Sequence, residues 1–266
     1  MSNPTNGPAR TDFDVLVVGG GISGINSAYR ISTQLPNASF AVLEARHEIG
    51  GTWSQFKYPG VRSDSDLHTF GFPFNPWKSS NTIASGESIM AYMHETVQTF
   101  DLEKYLRFGH KVVAADWRGE EQKWRVEVDV SHARAEARRV VYWTKWLILG
   151  TGYYSYEKPH EARIPGLASF EGRIAHPQFW PEDLEYKDKK IVVIGSGATA
   201  ITLLPALVDE GAKQVTQLQR SPSYVMNAPQ DKPDEAGWMK TILPGWLYSK
   251  WLRKSYGPML YLRSKC

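Results

Sequence analysis

The sequence predicts an α/β protein that contains two dinucleotide-binding, Rossmann-like domains. Near the start of the chain a short β-branched strand, a cluster of glycines and a helical segment follow one another, and the same order recurs from residue 189. The length of 266 residues suits two modest domains, because one domain takes roughly 150 residues. We therefore expect two copies of one nucleotide-binding βαβ unit.

The other segments are assigned from their periodicity and composition. Residues 14–18 and FAVLE, which closes at Glu44, predict buried strands on either side of a helix that contains GINSAYRIS. The following segments predict, in order, a long loop, a helix and three strands, over residues 50–77, 85–106, 111–115, 123–130 and 140–149. In the second copy, KKIVVIG and VTQLQRS predict strands around another helix.

Composition restricts the partners and the chemistry. The net charge of +3 is too small to predict a nucleic-acid or membrane partner, and no run of 18 apolar residues occurs. The one cysteine, Cys266, cannot form an internal disulfide or a CxxC pair, which favours a reducing, cytoplasmic setting. The start of the chain lacks a signal-peptide pattern, and scattered histidines predict no metal site. A soluble protein is expected.

The first glycine cluster predicts a site for FAD. Gly19, Gly21 and Gly24 form GxGxxG directly after the first strand, and Glu44 ends the next strand. The three glycines allow a tight turn, a close approach of the backbone to a pyrophosphate, and close packing of helix on strand. A carboxylate at Glu44 would accept hydrogen bonds from ribose hydroxyls. The alternative is a glycine turn that is only structural.

The second cluster predicts a site for NADPH. Gly195, Gly197 and Ala200 repeat the fingerprint, with alanine as an accepted third residue. Where Glu44 stood in the first copy, this copy has Gln219, Arg220 and Ser221. The Arg220 guanidinium would pair with a 2′-phosphate that a carboxylate would repel, and an ordinary surface arginine is the alternative. The predicted NADP contacts are Gly195, Ser196, Gly197, Ala198, Thr199, Ala200, Gln219, Arg220 and Ser221.

Two dinucleotide sites in one chain imply electron transfer from nicotinamide to flavin. Transfer onward to a disulfide needs a cysteine pair, which Cys266 alone cannot supply. Oxygen is the remaining electron acceptor for a soluble flavoprotein of this plan.

Two long motifs indicate which protein family the chain resembles. Phe170, Gly172, His176, Trp180 and Pro181 are spaced as FxGxxxHxxxWP. The segment from Gly51 to Asp64 has the spacing GxWxxxx[FY]PGxxxD. The chain from residue 14 to about residue 228 thus resembles the type I Baeyer–Villiger monooxygenases, which are class B flavoproteins, and it looks most like the ethionamide-activating subgroup.

The resemblance implies further site residues and a domain plan. FAD would also contact Gly51, Thr52, Trp53, Asp64 and Val112, and NADP would contact Arg62. Candidate catalytic residues are Asp64, as a buried carboxylate between the two rings, and His176, for which a hinge role is favoured over proton transfer. The plan is a disordered tail (1–12), an FAD domain (13–155), a connector (156–188) and an NADPH domain (189–266).

The resemblance also implies the reaction. A flavin C4a-peroxide would insert one oxygen atom from O2 into a ketone to give an ester or lactone, with oxygenation of nitrogen or sulfur, as in a thioether, as the alternative. In the family the FAD domain is completed by segments beyond the NADPH domain, and the catalytic arginine lies there. We therefore expect an incomplete second domain and missing return segments of the first, so a catalytically impaired nucleotide-binding fragment is a further alternative.

Overall fold

A computed structural model describes residues 11–132 and 135–225 as two compact units. The first unit comprises the described residues up to Gln55 and those from Met93 to Tyr156, and the second comprises Phe56 to Tyr92 and the described residues from Glu157 onward. The segment of residues 56–92, which the sequence places in the FAD domain, thus groups with the later part of the chain. The assignment of FAD to the first predicted domain and of NADPH to the last, and the boundaries of these domains, remain predictions.

The first unit is built on a six-stranded mixed sheet with the order β3-β2-β1-β6-β5-β4. Its strands are β1 Thr11–Val18, β2 Phe40–Leu43, β3 Leu106–Arg107, β4 His110–Arg118, β5 Lys123–His132 and β6 Ala135–Leu149. Strand β1 is paired in parallel with both β2 and β6, whereas β4, β5 and β6 form an antiparallel meander. The parallel half therefore has the βαβ order that a nucleotide site requires.

The alternation of side chains along β1 explains the layers of this unit. Helix α1 (Ile22–Gln34) packs on β1 and β2 through its buried residues Ile25, Ala28 and Ile31. On β1, Leu16 belongs to a hydrophobic cluster with Leu43, Val126, Val128 and Tyr142 that the meander helps to form. Helix and meander therefore enclose the parallel strands, as the apolar run DVLVV predicts.

The second unit is built around a two-stranded parallel sheet of β7 (Lys190–Ile194) and β8 (Gln214–Leu218). Helix α5 (Ala198–Asp209) packs on one face, where Ile191, Val193 and Val215 join Leu203 and Leu207 in a cluster. The opposite face carries Val192, Ile194 and Leu218, which are all more than half exposed. Side chains alternate between the two faces of a strand, so the pairing register of β7 and β8 determines which side chains lie on the helix-covered face and which on the exposed face.

Several predicted boundaries need correction, and the first strand already begins at Thr11, inside the predicted disordered tail of residues 1–12. The predicted loop of residues 50–77 contains two short helices, α2 (Thr52–Gln55) and α3 (Leu67–Phe70). The helix predicted over 85–106 is α4 (Gly86–Thr99), which ends because Asp101 adopts a left-handed φ of 51° and the Leu102 N–H then caps the Val97 carbonyl. The last strand ends at Leu218, so the predicted NADP residues 219–221 follow it.

A polar network links β1 to its two neighbours in the sheet. The Asp14 carboxylate accepts hydrogen bonds from the Ser39 N–H and the Ser39 hydroxyl. It also forms an ion pair with Lys145, whose Nζ lies 2.8 Å away. The Lys145 ammonium and the Ser39 donors hold the pKa of Asp14 well below its usual range. Asp14 thereby joins β1 to the residue before β2 and to β6, the two neighbours of β1 in the sheet.

Asp14→Asn should lower the melting temperature by a few degrees at neutral pH. A carboxyl whose pKa is lowered by folding stabilises the fold above its ordinary pKa and loses this effect as the pH falls through the lowered pKa. The difference between wild type and variant should therefore shrink as the pH falls below about 4. Thermal unfolding followed by circular dichroism at several pH values measures it.

Asp101→Asn is the matched control, because Asp101 forms an exposed i,i+3 ion pair with Lys104 and asparagine tolerates its positive φ. A pH dependence that is equal in both variants would contradict the role assigned to Asp14.

Candidate functional site

The first glycine turn connects β1 to α1 through a close crossing of the main chain. The Gly19 N–H donates to the Leu43 carbonyl at 2.8 Å, which joins the ends of β1 and β2. A Cβ atom on Gly24 would lie 1.9 Å from the Gly19 carbonyl oxygen, so only glycine allows α1 to start this close to the strand. Gly21 is the N-cap of α1 and no side chain caps the helix.

The carboxylate of Glu44 is buried directly after β2, beside this turn. One oxygen, Oε2, accepts a hydrogen bond from the Gly20 N–H at 2.6 Å, and Oε1 accepts one from the Arg46 N–H at 2.9 Å. The Glu44 carbonyl in turn accepts from the His110 N–H at 2.8 Å, two residues before Val112 on β4. Glu44 and the strand of Val112 are therefore both held next to the turn.

The predicted FAD residues of the long loop are also brought to the turn. The Gly50 N–H donates to the Gly20 carbonyl at 3.1 Å. The backbones of Gly51 and Gly21 approach so closely that a Cβ on Gly51 would lie 3.2 Å from the Gly21 Cα. Thr52 and Trp53 follow as the first residues of α2 and are half-buried. Gly19, Gly21, Gly24, Glu44 and Gly51 are thus brought together in the first unit.

The second glycine turn repeats the geometry of the first. The Gly195 N–H donates to the Leu218 carbonyl at 2.9 Å, as Gly19 does to Leu43. Gly197 is the N-cap of α5 with φ −77° and ψ 179°, close to the values of −75° and −170° at Gly21, and again no side chain caps the helix. Both helices therefore present an uncapped N-terminus to the end of a parallel pair, which is an anion-binding arrangement.

The residues after β8 differ from those after β2. Gln219 takes the position of Glu44, one residue beyond the strand, and Arg220 follows it. Gln219, Arg220 and Ser221 are all exposed, and Ser196 and Ser223 link this segment to the turn by hydrogen bonds. Among the described residues, Gln219 thus stands where the first turn has a carboxylate, and a guanidinium follows it in the chain.

The two middle glycines leave room for a ligand. A Cβ on Gly197 would have nothing within 4 Å, and one on Gly21 would meet only ordinary contacts of 3.7 Å or more. The backbone at both positions is extended, so packing and conformation would each admit a larger residue. A dinucleotide phosphate over each turn would use this space and the helix N-H groups.

The GxWxxxx[FY]PGxxxD motif and the FxGxxxHxxxWP motif both contribute to one hydrophobic cluster of the second unit. Tyr58 is buried against Leu203 and Leu207 of α5, and Trp180 packs on the same cluster. The Tyr58 hydroxyl lies 3.3 Å from the Thr202 hydroxyl. Two motifs about 120 residues apart therefore stabilise the helix that follows the second glycine turn.

The loop that carries Arg62 and Asp64 leaves this cluster through Gly60. Gly60 has a φ of +77°, and a Cβ there would lie 2.5 Å from the Thr202 carbonyl oxygen. The backbone of Arg62 forms an isolated antiparallel β-bridge with that of Ser85. Both Arg62 and Asp64 are exposed, so the burial expected for Asp64 is not found within its own unit.

The connector holds His176 in a tight bend. The Gln178 N–H donates to His176 Nδ1 at 3.2 Å, and the Phe179 N–H donates to the His176 carbonyl at 2.9 Å. Although His176 is an exposed residue, desolvation of its ring lowers its pKa, and His160 adds to the effect. The ring is therefore a neutral hydrogen-bond acceptor at Nδ1 near pH 7.

Comparisons with known proteins match both parts of this description. Residues 17–81 match the model of an NAD(P)-binding Rossmann-like domain. Residues 87–233, more than half of the chain, match the model of L-lysine 6-monooxygenase/L-ornithine 5-monooxygenase. The chain belongs to the flavin monooxygenase family.

Curated relatives of this flavin monooxygenase chain carry related names. It is 48% identical over 217 residues to the FAD-containing monooxygenase EthA of Mycobacterium tuberculosis. The aligned region covers 82% of the chain and 43% of the relative. It is 43% identical over 259 residues to the putative FAD-containing monooxygenase MymA of the same species, which covers 96% of the chain and 51% of the relative. The chain thus spans about half the length, or less, of these relatives.

Solved structures of this kind have the same fold. An oxidized steroid monooxygenase bound to NADP matches with a TM-score of 0.72 at 28% identity, over 92% of the chain and 44% of that structure. A cyclohexanone-bound cyclohexanone monooxygenase matches with a TM-score of 0.71 at 26% identity, over 88% and 44%. The resemblance predicted from the two motifs is confirmed at the level of the family.

Other site types receive no support in the described part of the flavin monooxygenase chain. No group of three His, Cys, Asp or Glu side chains is arranged to hold a metal ion there. Among the same residues, no helix combines the length and apolarity that crossing a bilayer requires. The sequence reading missed two residues beside the first turn, Arg46 and Tyr156, because they belong to neither motif.

Gly60→Ala should destabilise the second unit. The new methyl group would press on the Thr202 carbonyl and the Ala206 Cβ, and alanine would have to adopt a positive φ. Such backbone strain costs about 1–3 kcal/mol, so the free energy of unfolding should fall by this amount in urea titrations.

Gly119→Ala is the control, since its Cβ would have nothing within 4 Å and its φ is not positive. Equal unfolding midpoints for both alanine variants would show that the Gly60 crossing on α5 is not a constraint.

Proposed function

We propose that this chain binds FAD at the first glycine turn and NADPH at the second, as part of a monooxygenase that inserts one oxygen atom from O2 into a ketone. The main support is the pair of uncapped helix N-termini, each with a middle glycine that leaves room for a phosphate. FAD, when bound, would supply the oxygen-activating chemistry, and NADPH the electrons. In the balanced reaction, ketone, O2, NADPH and a proton give ester or lactone, NADP+ and water.

Glu44 and the loop after it support the placement of FAD at the first turn. The Glu44 carboxylate is already oriented by two backbone N–H groups, so its remaining lone pairs can accept hydrogen bonds from ribose hydroxyls without reorganisation. Gly51, Thr52 and Trp53 follow Gly50, whose N–H binds the glycine turn, and Val112 lies on the strand held beside Glu44. These residues bind and orient the flavin.

The segment after β8 assigns NADPH to the second turn. A carboxylate at the position of Gln219 would repel a 2′-phosphate, and Arg220 supplies a planar guanidinium that can pair with one. Ser196, Ala198 and Thr199 lie in the first turn of α5 or directly before it, where their N–H groups can reach the pyrophosphate. Arg62 is a further candidate contact for NADP.

Asp64 and His176 are assigned positioning roles. Asp64 is an exposed carboxylate on the loop fixed by Gly60, where it can orient a cationic group of a ligand. His176 is neutral and engaged through Nδ1, so it suits a hinge of the connector better than a proton donor.

Oxygenation of a nitrogen or sulfur atom is the second candidate function. One observation favours it: the model that matches residues 87–233 is named for enzymes acting on lysine and ornithine, which both carry a side-chain amine. The cyclohexanone and steroid monooxygenase structures favour the ketone reaction.

The two reactions are distinguished by their products. The purified chain should bind FAD, with the visible absorbance of a flavoprotein, and should consume NADPH when a cyclic ketone is added and release a lactone. Sulfoxide from a thioether without lactone would favour heteroatom oxygenation. A chain that remains colourless and is not stabilised by added FAD would contradict the cofactor assignment, and flavin binding without any oxygenated product would identify a nucleotide-binding fragment.

Arg220→Gln should weaken NADPH binding and leave NADH binding unchanged. Loss of a hydrogen bond between charged groups costs about 1.5–3 kcal/mol, which is roughly a 10- to 150-fold rise in the Kd of NADPH. Titration of the protein with each coenzyme, followed by fluorescence, measures the change.

Lys213→Gln removes an exposed cation at the opposite, amino-terminal end of β8 and serves as the control. If both variants lose affinity for both coenzymes equally, Arg220 does not recognise the 2′-phosphate.

A further inference from the structure

Arg46 lies at the centre of the first unit's candidate site but belongs to neither motif. It is the second residue after Glu44, and its backbone N–H orients the Glu44 carboxylate. Its side chain is 26% exposed and returns toward the loop that carries Gly51 and Trp53. Arg46 therefore touches both components of the proposed FAD site.

The guanidinium makes several contacts at once. Nη1 donates to the Gly51 carbonyl at 3.3 Å and to the Ser54 hydroxyl, and Nη2 pairs with Glu48 at 2.7 Å. The guanidinium carbon lies 5.9 Å from the centre of the Tyr156 ring. The planar fork of arginine allows these simultaneous contacts, which a lysine could not reproduce.

Tyr156 closes the other side of the same loop. A Cβ on Gly51 would lie 3.2 Å from the Tyr156 hydroxyl oxygen and 3.2 Å from the Gly21 Cα. Gly51, which has a φ of +55°, is therefore confined between the first glycine turn and the tyrosine. The Arg46 guanidinium holds the Gly51 carbonyl and Ser54, so the turn has little freedom to move away from Gly21.

We propose that Arg46, supported by Tyr156, is a positioning residue that holds the Gly51–Ser54 turn in the shape that receives FAD. The proposal rests on the assignment of FAD to the first unit. Arg46 acts through the turn and not on the reacting atoms: its hydrogen bonds fix the carbonyl of Gly51 and the start of α2, and these fix the backbone next to Gly21. Preorganisation of the turn lowers the entropic cost of binding the cofactor.

The test compares Arg46→Ala with wild type by hydrogen exchange without FAD and by FAD titration. Loss of the guanidinium should speed amide exchange at Trp53, Ser54 and Gln55, whose N–H groups donate within this turn. It should also raise the Kd of FAD roughly tenfold, because the turn loses hydrogen bonds from a charged donor. Arg46→Lys should recover only part of the affinity.

Two further variants keep the test decisive. Arg139→Ala removes another ion-paired arginine of the same unit, on the meander, and should change neither exchange in the turn nor the Kd. Ser54→Ala removes one acceptor of Arg46 and should shift both readouts in the same direction by a smaller factor, even if Arg46→Ala fails to fold.

Four outcomes would overturn the proposal. Weaker FAD binding with unchanged exchange in the turn would mean that Arg46 contacts the cofactor directly. Faster exchange throughout the first unit would mean a general structural role. Unchanged FAD affinity in both Arg46→Ala and Ser54→Ala, with normal binding by wild type, would leave the assignment of FAD intact and remove the role of Arg46. Absence of FAD binding by wild type would instead refute the proposed function and this inference together.

Discussion

The first unit depends on a buried carboxylate that is paired with backbone N–H groups instead of a cation. Glu44 is 7% exposed, and the burial of a charge in this way is costly unless hydrogen bonds compensate it. The N–H groups of Gly20 and Arg46 provide that compensation, and both belong to turns that no regular structure would otherwise fix. The carboxylate therefore determines the glycine turn and the chain after β2 at the same time.

The second unit depends on α5, against which distant segments pack. Tyr58 from one signature and Trp180 from the other contact the same apolar cluster as Leu203 and Leu207. The two motifs thus have a structural purpose that is separate from any contact with a ligand: they support the helix whose N-terminus follows Gly197. A family fingerprint can be needed for the fold of a site as much as for its chemistry.

Much of the fold was predictable from local patterns, because each βαβ unit is coded over about 30 residues. The strand of residues 14–18, the helix after it and the position of Glu44 follow from periodicity and glycine spacing. Residues 50–77 were less predictable, since α2 and α3 are single turns that are too short to show a helical period, although Asp66 caps the start of α3. The end of α4 depends on a left-handed residue, Asp101, which the sequence signals only weakly.

The candidate site was predictable where a residue acts through its type and unpredictable where it acts through its neighbours. The glycines, Glu44 and Arg220 stand at the ends of recognisable strands. Tyr58, in contrast, could be read only as part of a motif, because its hydrogen-bond partner Thr202 is 144 residues away in the chain. Asp64 is exposed on the loop after Gly60, and its expected burial between the two cofactor rings stays a prediction.

The two glycine turns have the same backbone form for different physical reasons. In the first, the chain itself requires glycine: a Cβ on Gly19 would lie 2.4 Å from the Gly150 carbonyl oxygen, in addition to the crossing at Gly24. In the second, a Cβ on Gly195 would meet nothing within 4 Å, and only its φ of +129° favours glycine. The third position can therefore be Ala200, which is buried without a comparable crossing. The first turn is fixed by folding, whereas the described residues leave open space at the second, which a bound phosphate could occupy.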